Sequence, residues 1–419
     1  VNSRGLAAAI AACLVLGATT QARAGGYDTP MLYSARQMGM GGAAVSYVND
    51  PSAIFHNPAG LQGTKRWSVL GDVSPLFGGI RATPNKPGPA YPDVKDKESE
   101  TTIAPFFMIA GAYRLTDWMT AGFGVYPVAS AGAEYEYKSL GGKTEDRTKL
   151  VFIEAAPALS FQLPGNVALG ASYRMTYVDL ERFQGSDTNK YLDFKMTGTN
   201  FLGFKLGAQW QPIKSVQLGL TYRHKTVTTV ENDSGIALTK EFTDISTKFV
   251  LPTRFIAGAR YDFDALPLGL SSDVEYALNS QNTEAPFKGT DSKGVKTSVP
   301  NVFRWTDAWT VRLGAEYRIL DRKLPLRIGG VWDQKTSNPA YPTAFGTPPG
   351  DTYVATAGLG WDAGDWQVNA AGAYRWGDGK TTIPNDAGHD VCRFCGYSGD
   401  KTYAISLIGV YLDASVNFD

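Results

Sequence analysis

The feature that most constrains this chain is a two-residue alternation that recurs along most of its length. In "AWTVRLGAEYRI", Trp309, Val311, Leu313, Ala315, Tyr317 and Ile319 share one face, while Thr310, Arg312, Gly314, Glu316 and Arg318 share the other. "DWQVNAAGAYRWG", "VALGASYRMTY" and "VQLGLTYRHK" repeat the pattern. Successive side chains of a strand point to opposite faces, so each segment is a strand with one apolar and one polar side. Fourteen such segments are expected, at 66–75, 102–114, 119–134, 149–162, 167–182, 201–211, 216–230, 248–261, 268–278, 306–319, 324–333, 352–361, 366–377 and 402–418.

The connections narrow the architecture further. Six are short ("LTD", "LPGN", "PIKS", "DFDALP", "LDRK" and "DAGD"), seven are long and polar, and the two kinds alternate. Short turns at one end and long loops at the other mark a bacterial outer-membrane barrel. The expected fold class is all-β, a 14-stranded antiparallel transmembrane β-barrel with both termini on the short-turn, periplasmic side. Trp118, Trp210, Trp361 and Trp366 flank short turns, and Trp332 and Trp376 lie near the opposite strand ends, as two interfacial belts would require. The alternative of a soluble β-sandwich gives no reason for that sorting.

The leader fits an exported protein. Arg4, an apolar run from Leu6 to Ala18, and Ala22-Arg23-Ala24 read as a signal peptide over residues 1–24; Ile10-Ala11-Ala12-Cys13 offers a competing lipoprotein reading. Removal of the leader takes away Arg4 and Arg23 and leaves 38 basic against 40 acidic residues, a balance that gives no hint of a nucleic-acid partner. It also leaves Cys392 and Cys395 as the remaining cysteines, expected as a disulfide in an oxidising compartment. "HDVCRFC" offers zinc His389 and two thiolates but no fourth ligand. Gly39-x-Gly41-x-x-Ala44 imitates a dinucleotide fingerprint without a preceding strand or βαβ unit. With three histidines and no G-x-S-x-G, catalysis has no support, and no cofactor is called for.

A barrel of this circumference is too wide for its own wall side chains to fill. Residues 25–65 are the candidate stopper, a hatch ahead of the barrel at 66–419. Their "NDPSAIFHNPAGLQG" mixes small residues with enforced turns at Asn49-Asp50-Pro51 and Asn57-Pro58. "GMGGAAVSYVNDPSAIFHNPAGL" resembles the N-terminal hatch of the FadL family of outer-membrane transporters, with Asp50, Phe55, Asn57, Pro58, Ala59 and Gly60 matching its hallmark. The similarity continues through "GFGVYPVASAGAEY", "APALSFQLPGNVALGASYRMTY", "FVLPTRFIAGARYDF" and "WTDAWTVRLGAEYRILDRKLPLRIGGVWD". The resemblance implies passive, ligand-gated inward passage of long-chain fatty acids or small aromatic and aliphatic hydrocarbons. It also implies a hatch that shifts on ligand binding and an exit through the wall at strand three.

Candidate site residues follow. Gly122, Gly124 and Pro127 are where strand three can break, since proline cannot donate to a ladder and glycine marks bends; a harmless rim bulge is the alternative. The third long loop, "FQGSDTNKYLDFKMTGTN", offers Phe183, Tyr191, Leu192, Phe194 and Met196 as a capture groove, with Phe242 from the fourth, unless these loops merely pack on each other. Parity puts Arg174, Lys205, Arg223, Arg254, Arg260, Arg312, Arg318, Arg327 and Arg375 on the inner face with Glu154, Asp273, Glu275 and Glu316, mostly as cross-strand ion pairs. Arg174, Arg254 and Arg327 are candidates to hold a carboxylate in their guanidinium fork. "APFFMIAGAY" and "YAISLIGVYL", apolar on both faces, flank strand one as a greasy passage or a bed for the hatch. Expected partners are a hydrophobic small molecule, outer-membrane lipid and, in vitro, detergent, with the closed barrel monomeric. Two further readings stand beside transport of hydrophobic compounds, a general diffusion porin and a noncatalytic adhesion or assembly barrel.

Overall fold

A computed structural model describes residues 33–84, 97–139, 142–186, 188–344, 349–382, 394 and 401–418. The leader and the Cys392/Cys395 pair lie outside the described residues. The wall is a closed antiparallel barrel of fourteen staves. They are β1 (Trp67–Pro84), β2 (Thr102–Thr116), β3 (Met119–Ser139), β4 (Gly142–Leu163), β5 (Val167–Gly185), β6 (Lys190–Ile213), β7 (Val216–Arg223 and Thr226–Ala237), β8 (Lys240–Leu251 and Arg254–Asp262), β9 (Leu268–Ala277), β10 (Ala308–Ile319), β11 (Leu324–Asp333), β12 (Thr352–Asp362), β13 (Trp366–Lys380) and β14 (Lys401–Phe418). β14 pairs with β1 from Trp67↔Phe418 to Pro84↔Lys401, which closes the ring and leaves no sheet edge at the seam. All fourteen expected strands are present. Among the described residues no helix is long and apolar enough to cross a membrane; the crossing is made by strands.

The alternation sorts as its chemistry demands. Val73, Ile109, Leu220, Leu313 and Ile328 face outward and are more than half exposed, a surface that only lipid can cover. Trp118, Trp210, Trp361 and Trp366 stand exposed beside the short turns.

Three connections expected as long loops are instead extensions of the ladder. β3 and β4 stay paired to Ser139↔Gly142, β5 and β6 to Gly185↔Lys190, and β7 and β8 to Lys240↔Ala237. Leu238 and Thr239 make the last turn, both with positive φ (52° and 66°), the tight form that matches strand twist. β4 has 22 residues and β6 has 24, whereas about 9–11 residues cross a bilayer. Their upper halves therefore stand outside the lipid. There the outer face no longer needs to be apolar, so the alternation fades from the sequence while the hydrogen-bonded ladder continues.

Residues 33–64 run inside the ring. They form α1 (Ala35–Met38), α2 (Ala53–His56) and a 3-10 helix at Pro58–Gly63, too short to persist alone and held by the wall. Every residue from Tyr33 to Val48 is buried. Tyr33, Ala35, Met38, Ile54 and Leu61 share one apolar cluster with Leu70, Phe106, Met108 and Tyr126 of the wall. The greasy sector around β1 thus serves as a bed for this segment.

Candidate functional site

The seat of the N-terminal segment begins with glycines. Gly170, Gly207, Gly219, Gly258, Gly314 and Gly329 are inward-facing on β5, β6, β7, β8, β10 and β11, and they face one another across the ladders as Gly170↔Gly207, Gly219↔Gly258 and Gly314↔Gly329. A Cβ on Gly170 would lie 2.3 Å from the Ala59 nitrogen, and one on Gly329 would lie 2.1 Å from the Gly41 nitrogen. Backbone meets backbone at these points, which only glycine permits. The sequence reading passed over this row, although "ALGA", "KLGA", "QLGL", "IAGA", "RLGA" and "RIGG" each carry one.

Polar wall groups then satisfy the segment's own backbone. Asp273 Oδ2 accepts from the Ala44 and Val45 N–H groups at 2.8 and 3.1 Å, and Asp413 Oδ2 accepts from Arg36 N–H at 3.0 Å. The matched hallmark residues hold the segment together. Asp50 accepts from Arg36 and Gln37 at 3.2 Å each and caps its own turn through Ser52 N–H at 2.8 Å. Asn57 Nδ2 donates to Val45 O at 2.8 Å and to Ala208 O of β6 at 3.0 Å. Pro58 opens the 3-10 turn, and Ala59 O accepts from Ser160 Oγ of β4 at 2.9 Å. Gly60 is pressed against Val48, where a Cβ would fall 2.1 Å from its carbonyl oxygen. Phe55 stands edge-on to Tyr33 and Tyr126, with Lys205 Nζ 5.1 Å from its ring centre. His56 contacts Tyr33 O, and burial pushes its pKa down to about 3, so it sits neutral.

The wall is interrupted beside this segment. β2 and β3 pair from Thr116↔Met119 to Ile109↔Val125; above that point the ladder lapses, until Glu100 N–H, just before β2, donates to Glu134 O of β3 at 2.8 Å. β3 bulges between Pro127 and Ala129 against β4. Tyr33 reaches into the break: its hydroxyl donates to Pro127 O at 2.6 Å, and its ring lies 5.9 Å from Phe106 of β2 and 6.2 Å from Tyr126 of β3. Pro127 is thus at the break. Gly122 and Gly124 are not. They pair with Ala112 and Ala110 on one side and with Ala158 and Ala156 on the other, in an unbroken ladder. Their lack of a side chain makes room for Ile54, which would come within 3.1 and 3.5 Å of a Cβ at these positions.

Above the segment lies an apolar chamber. Leu192, Phe194 and Met196 are buried on the inner face of β6 and Phe242 is buried on β8, so the expected loop groove is built on strands. Phe183, on the opposite face of β5 from Arg182, packs under Arg147 instead, and Tyr191 is half-buried near the hairpin end. The chamber's centre is Phe287, which sequence reasoning missed. It belongs to a hairpin, Phe287–Asp291 with Lys296–Val299, inside the β9–β10 connection, and each arm is too short to show a period. Its ring lies 5.3 Å from Phe194, 5.5 Å from Phe242 and 6.0 Å from Phe394. The cavity among Leu180, Phe194, Phe249, Phe287 and Phe394 measures ≈ 40 Å³.

The inner charges are paired as cross-strand parity suggests, and each of the three proposed carboxylate holders already has a carboxylate neighbour in the wall. Arg174 is clamped by Glu154 and donates to His224 O at 2.9 Å. Arg254 is bound to Glu275, and Arg327 to Glu316 at 2.8 Å and Asn369 at 2.8 Å. Glu275 also holds Arg312 at 2.9 Å. A cavity of ≈ 50 Å³ between the segment and the wall is nevertheless rich in cations, with Lys205, Arg223, Arg254 and Arg312 against Asp273 and Glu275.

A closed barrel with its own N-terminal segment folded into the lumen beside a parted β2–β3 ladder defines an outer-membrane transport protein of the bacterial type. The outer membrane protein transport family that includes OMPP1, FadL and TodX matches residues 15–415, and the chain belongs to it. Solved structures share the fold at 17% identity. A Pseudomonas aeruginosa FadL homologue superposes with a TM-score of 0.73, covering 94% of this chain and 100% of that one. The P. putida toluene transporter TodX gives 0.68 over 93% and 99%, and the Ralstonia pickettii toluene transporter TbuX gives 0.65 over 93% and 100%. An outer membrane protein of Neisseria meningitidis serogroup B is 33% identical over 103 residues, a stretch spanning 22% of that protein and 23% of this chain.

Proposed function

We propose that this chain carries small hydrophobic molecules inward across the outer membrane by passive diffusion. Residues 33–64 act as the hatch, and the parted β2–β3 ladder is the lateral exit. Cargo collects among Phe194, Phe249, Phe287 and Phe394, passes the hatch at Phe55 and Tyr33, and leaves into the bilayer above Ile109 and Val125. The observation that carries the reading is the end of β2–β3 pairing at Ile109↔Val125, with a hatch aromatic, Tyr33, set in the break. An exit into lipid keeps an apolar solute out of water throughout, so partition supplies the driving force.

The cargo best supported is a neutral hydrocarbon of one ring. Arg174, Arg254 and Arg327 already hold carboxylates, and taking one away would strand a buried charge. The ≈ 40 Å³ chamber is smaller than the ~150 Å³ apolar cavity that holds benzene, so admission needs the phenylalanines to turn. A fatty acid is the second reading, favoured by the four cations around the cavity at Lys205.

The test measures uptake of labelled toluene and labelled oleate by cells that lack the protein, with and without the restored gene, and binding of both by the purified chain. Uptake and binding of toluene alone support the first reading, and of oleate the second; neither ligand bound nor taken up ends the proposal. Replacing Pro127 with Val, a strand former, favours a straighter β3 and should reduce uptake while the barrel still folds. Unchanged uptake by that variant removes the lateral exit.

A further inference from the structure

A second pocket, unlike the transport path in chemistry, opens at the short-turn end of the barrel, where hatch meets rim. Its volume is ≈ 320 Å³. Three rim turns build it: 212–215 gives Lys214, 262–267 gives Asp262, Phe263 and Leu266, and 320–323 gives Arg322. The hatch supplies Arg36, Tyr47 and Asn49, and the inner wall supplies Arg260, Glu316 and Arg318.

Five cations line this pocket against two carboxylates. Those carboxylates are spent locally. Glu316 binds Arg260, Arg318 and Arg327, and Asp262 binds Arg260 and accepts from Gln217 at 3.2 Å. Asp50, outside the lining, answers Arg36. Lys214 and Arg322 stay exposed on opposite turns with no carboxylate partner among the described residues. Tyr47 is 6% exposed, and its hydroxyl has no hydrogen-bond partner among the described residues. Arg260 lies over its ring at 4.6 Å and Arg36 at 6.0 Å, so the ring is fixed from the hatch side and the wall side together. A buried hydroxyl without a partner and a surplus of cations are two deficits that one ligand type corrects, an anion with several acceptor oxygens. Burial pushes the Tyr47 hydroxyl up to about 12, so it keeps its proton to donate.

We propose that this periplasmic pocket binds a small dianion, a phosphate or a dicarboxylate, between the hatch residues Arg36 and Tyr47 and the rim residues Lys214 and Arg322. A ligand held by both parts ties the hatch to the wall, so occupancy steadies the closed state from the periplasmic side. The site is too polar for hydrocarbon cargo and is filled from water. Its existence does not depend on what the transport path carries.

The test uses the full chain purified in phosphate-free detergent solution. Inorganic phosphate and succinate are titrated separately by calorimetry at low and high salt. Saturable binding that weakens with salt is expected, and the tighter of the two ligands identifies phosphate or carboxylate as the preferred chemistry. Lys214→Gln with Arg322→Gln should weaken it at least about tenfold, and Tyr47→Phe several-fold, while Arg81→Gln, on the far end of β1, should change nothing. Either rim substitution alone, on an exposed turn, serves if the pair fails to fold. Amide exchange across residues 36–50 should slow when the tighter ligand is added. Absence of saturable binding by both anions overturns the site, as does affinity that ignores the rim and Tyr47 variants. Unaltered exchange on binding overturns the tie to the hatch. Toluene binding, measured on the same samples, reports independently on the transport reading.

Discussion

Adding one methyl group at Gly170 tests whether the hatch is seated by backbone contact. The Cβ of Gly170→Ala would fall 2.3 Å from both Ala59 N and Pro58 C and 2.7 Å from Pro58 O, all backbone atoms with no rotamer to yield. Ordinary contact needs about 3.4 Å or more, so the 3-10 turn has to retreat by roughly 1 Å. That distance breaks the bonds made there, Ser160 Oγ to Ala59 O at 2.9 Å and Asn57 Nδ2 to Ala208 O at 3.0 Å. Two hydrogen bonds at about 0.5–1.5 kcal/mol each amount to about 1–3 kcal/mol, a shift of roughly 5- to 150-fold toward the unseated hatch. Alanine is no worse than glycine in a strand interior, and the outward face of β5 is untouched. The assays are ion conductance in planar bilayers, expected to rise, and amide exchange over residues 57–63, expected to quicken. Gly71→Ala and Gly372→Ala are controls, since a Cβ there meets nothing within 4 Å. If Gly170→Ala folds and matches the wild type in both assays, the glycine seat is not what positions the hatch.

Two other perturbations read different terms. Arg174→Ala leaves Glu154 buried at 1% exposure without its guanidinium and should cost about 3–5 kcal/mol in unfolding measured from detergent or lipid; Arg174→Met with Glu154→Gln should recover much of it. For His56 the sign follows from its lowered pKa of about 3: the native state holds it neutral, so its stabilising share is complete above the unfolded value near 6.5 and is lost as pH falls from there toward 3. Hatch exchange protection should therefore drop by up to about 1.4 kcal/mol per pH unit in that window, and His56→Gln should flatten the difference; equal pH profiles would refute the assignment.

Strand positions were legible because lipid on one side and a polar lumen on the other impose opposite demands on neighbouring residues. Val311 and Arg312 could not exchange places. The same rule put Glu316 and Arg327 on one inner face and hence within reach of each other. It lapses where lipid ends, which is why Phe194 and Phe242 looked like loop residues and proved to line a chamber from strands. It is silent about side-chain pairing, so Arg174 and Arg254 read as available cations although Glu154 and Glu275 hold them. Gly122 and Gly124 invited a reading as flexible points because glycine has two structural uses, bending a strand and admitting a close neighbour. Only the position of Ile54 decides between them.

The strength of the seat limits how far the hatch can move. Wall groups at Asp273, Asp413, Thr356, Ala208, Ser160 and Pro127 each bond to it. At about 1 kcal/mol for each neutral bond and about 1.5–3 for those to carboxylates, these alone sum to roughly 7–10 kcal/mol, before any apolar contact is counted. A small hydrocarbon bound at millimolar to micromolar concentration releases about 4–8 kcal/mol, and a ligand shifts an equilibrium only by its differential affinity. If toluene is the cargo, as proposed, it therefore cannot unseat the whole segment, but it can displace the part at the break, where the Tyr33 hydroxyl has a single bond to Pro127 O and the Phe55 ring packs by its edges with Lys205 on its carbonyl. Amide exchange with saturating toluene should quicken around residues 33–35 and 54–56 and stay unchanged over Ala44 to Val48, where Asp273 and the glycine row hold the backbone. Faster exchange along the full segment would mean that the hatch leaves as a body, and that its bonds to the wall are worth far less than their geometry implies.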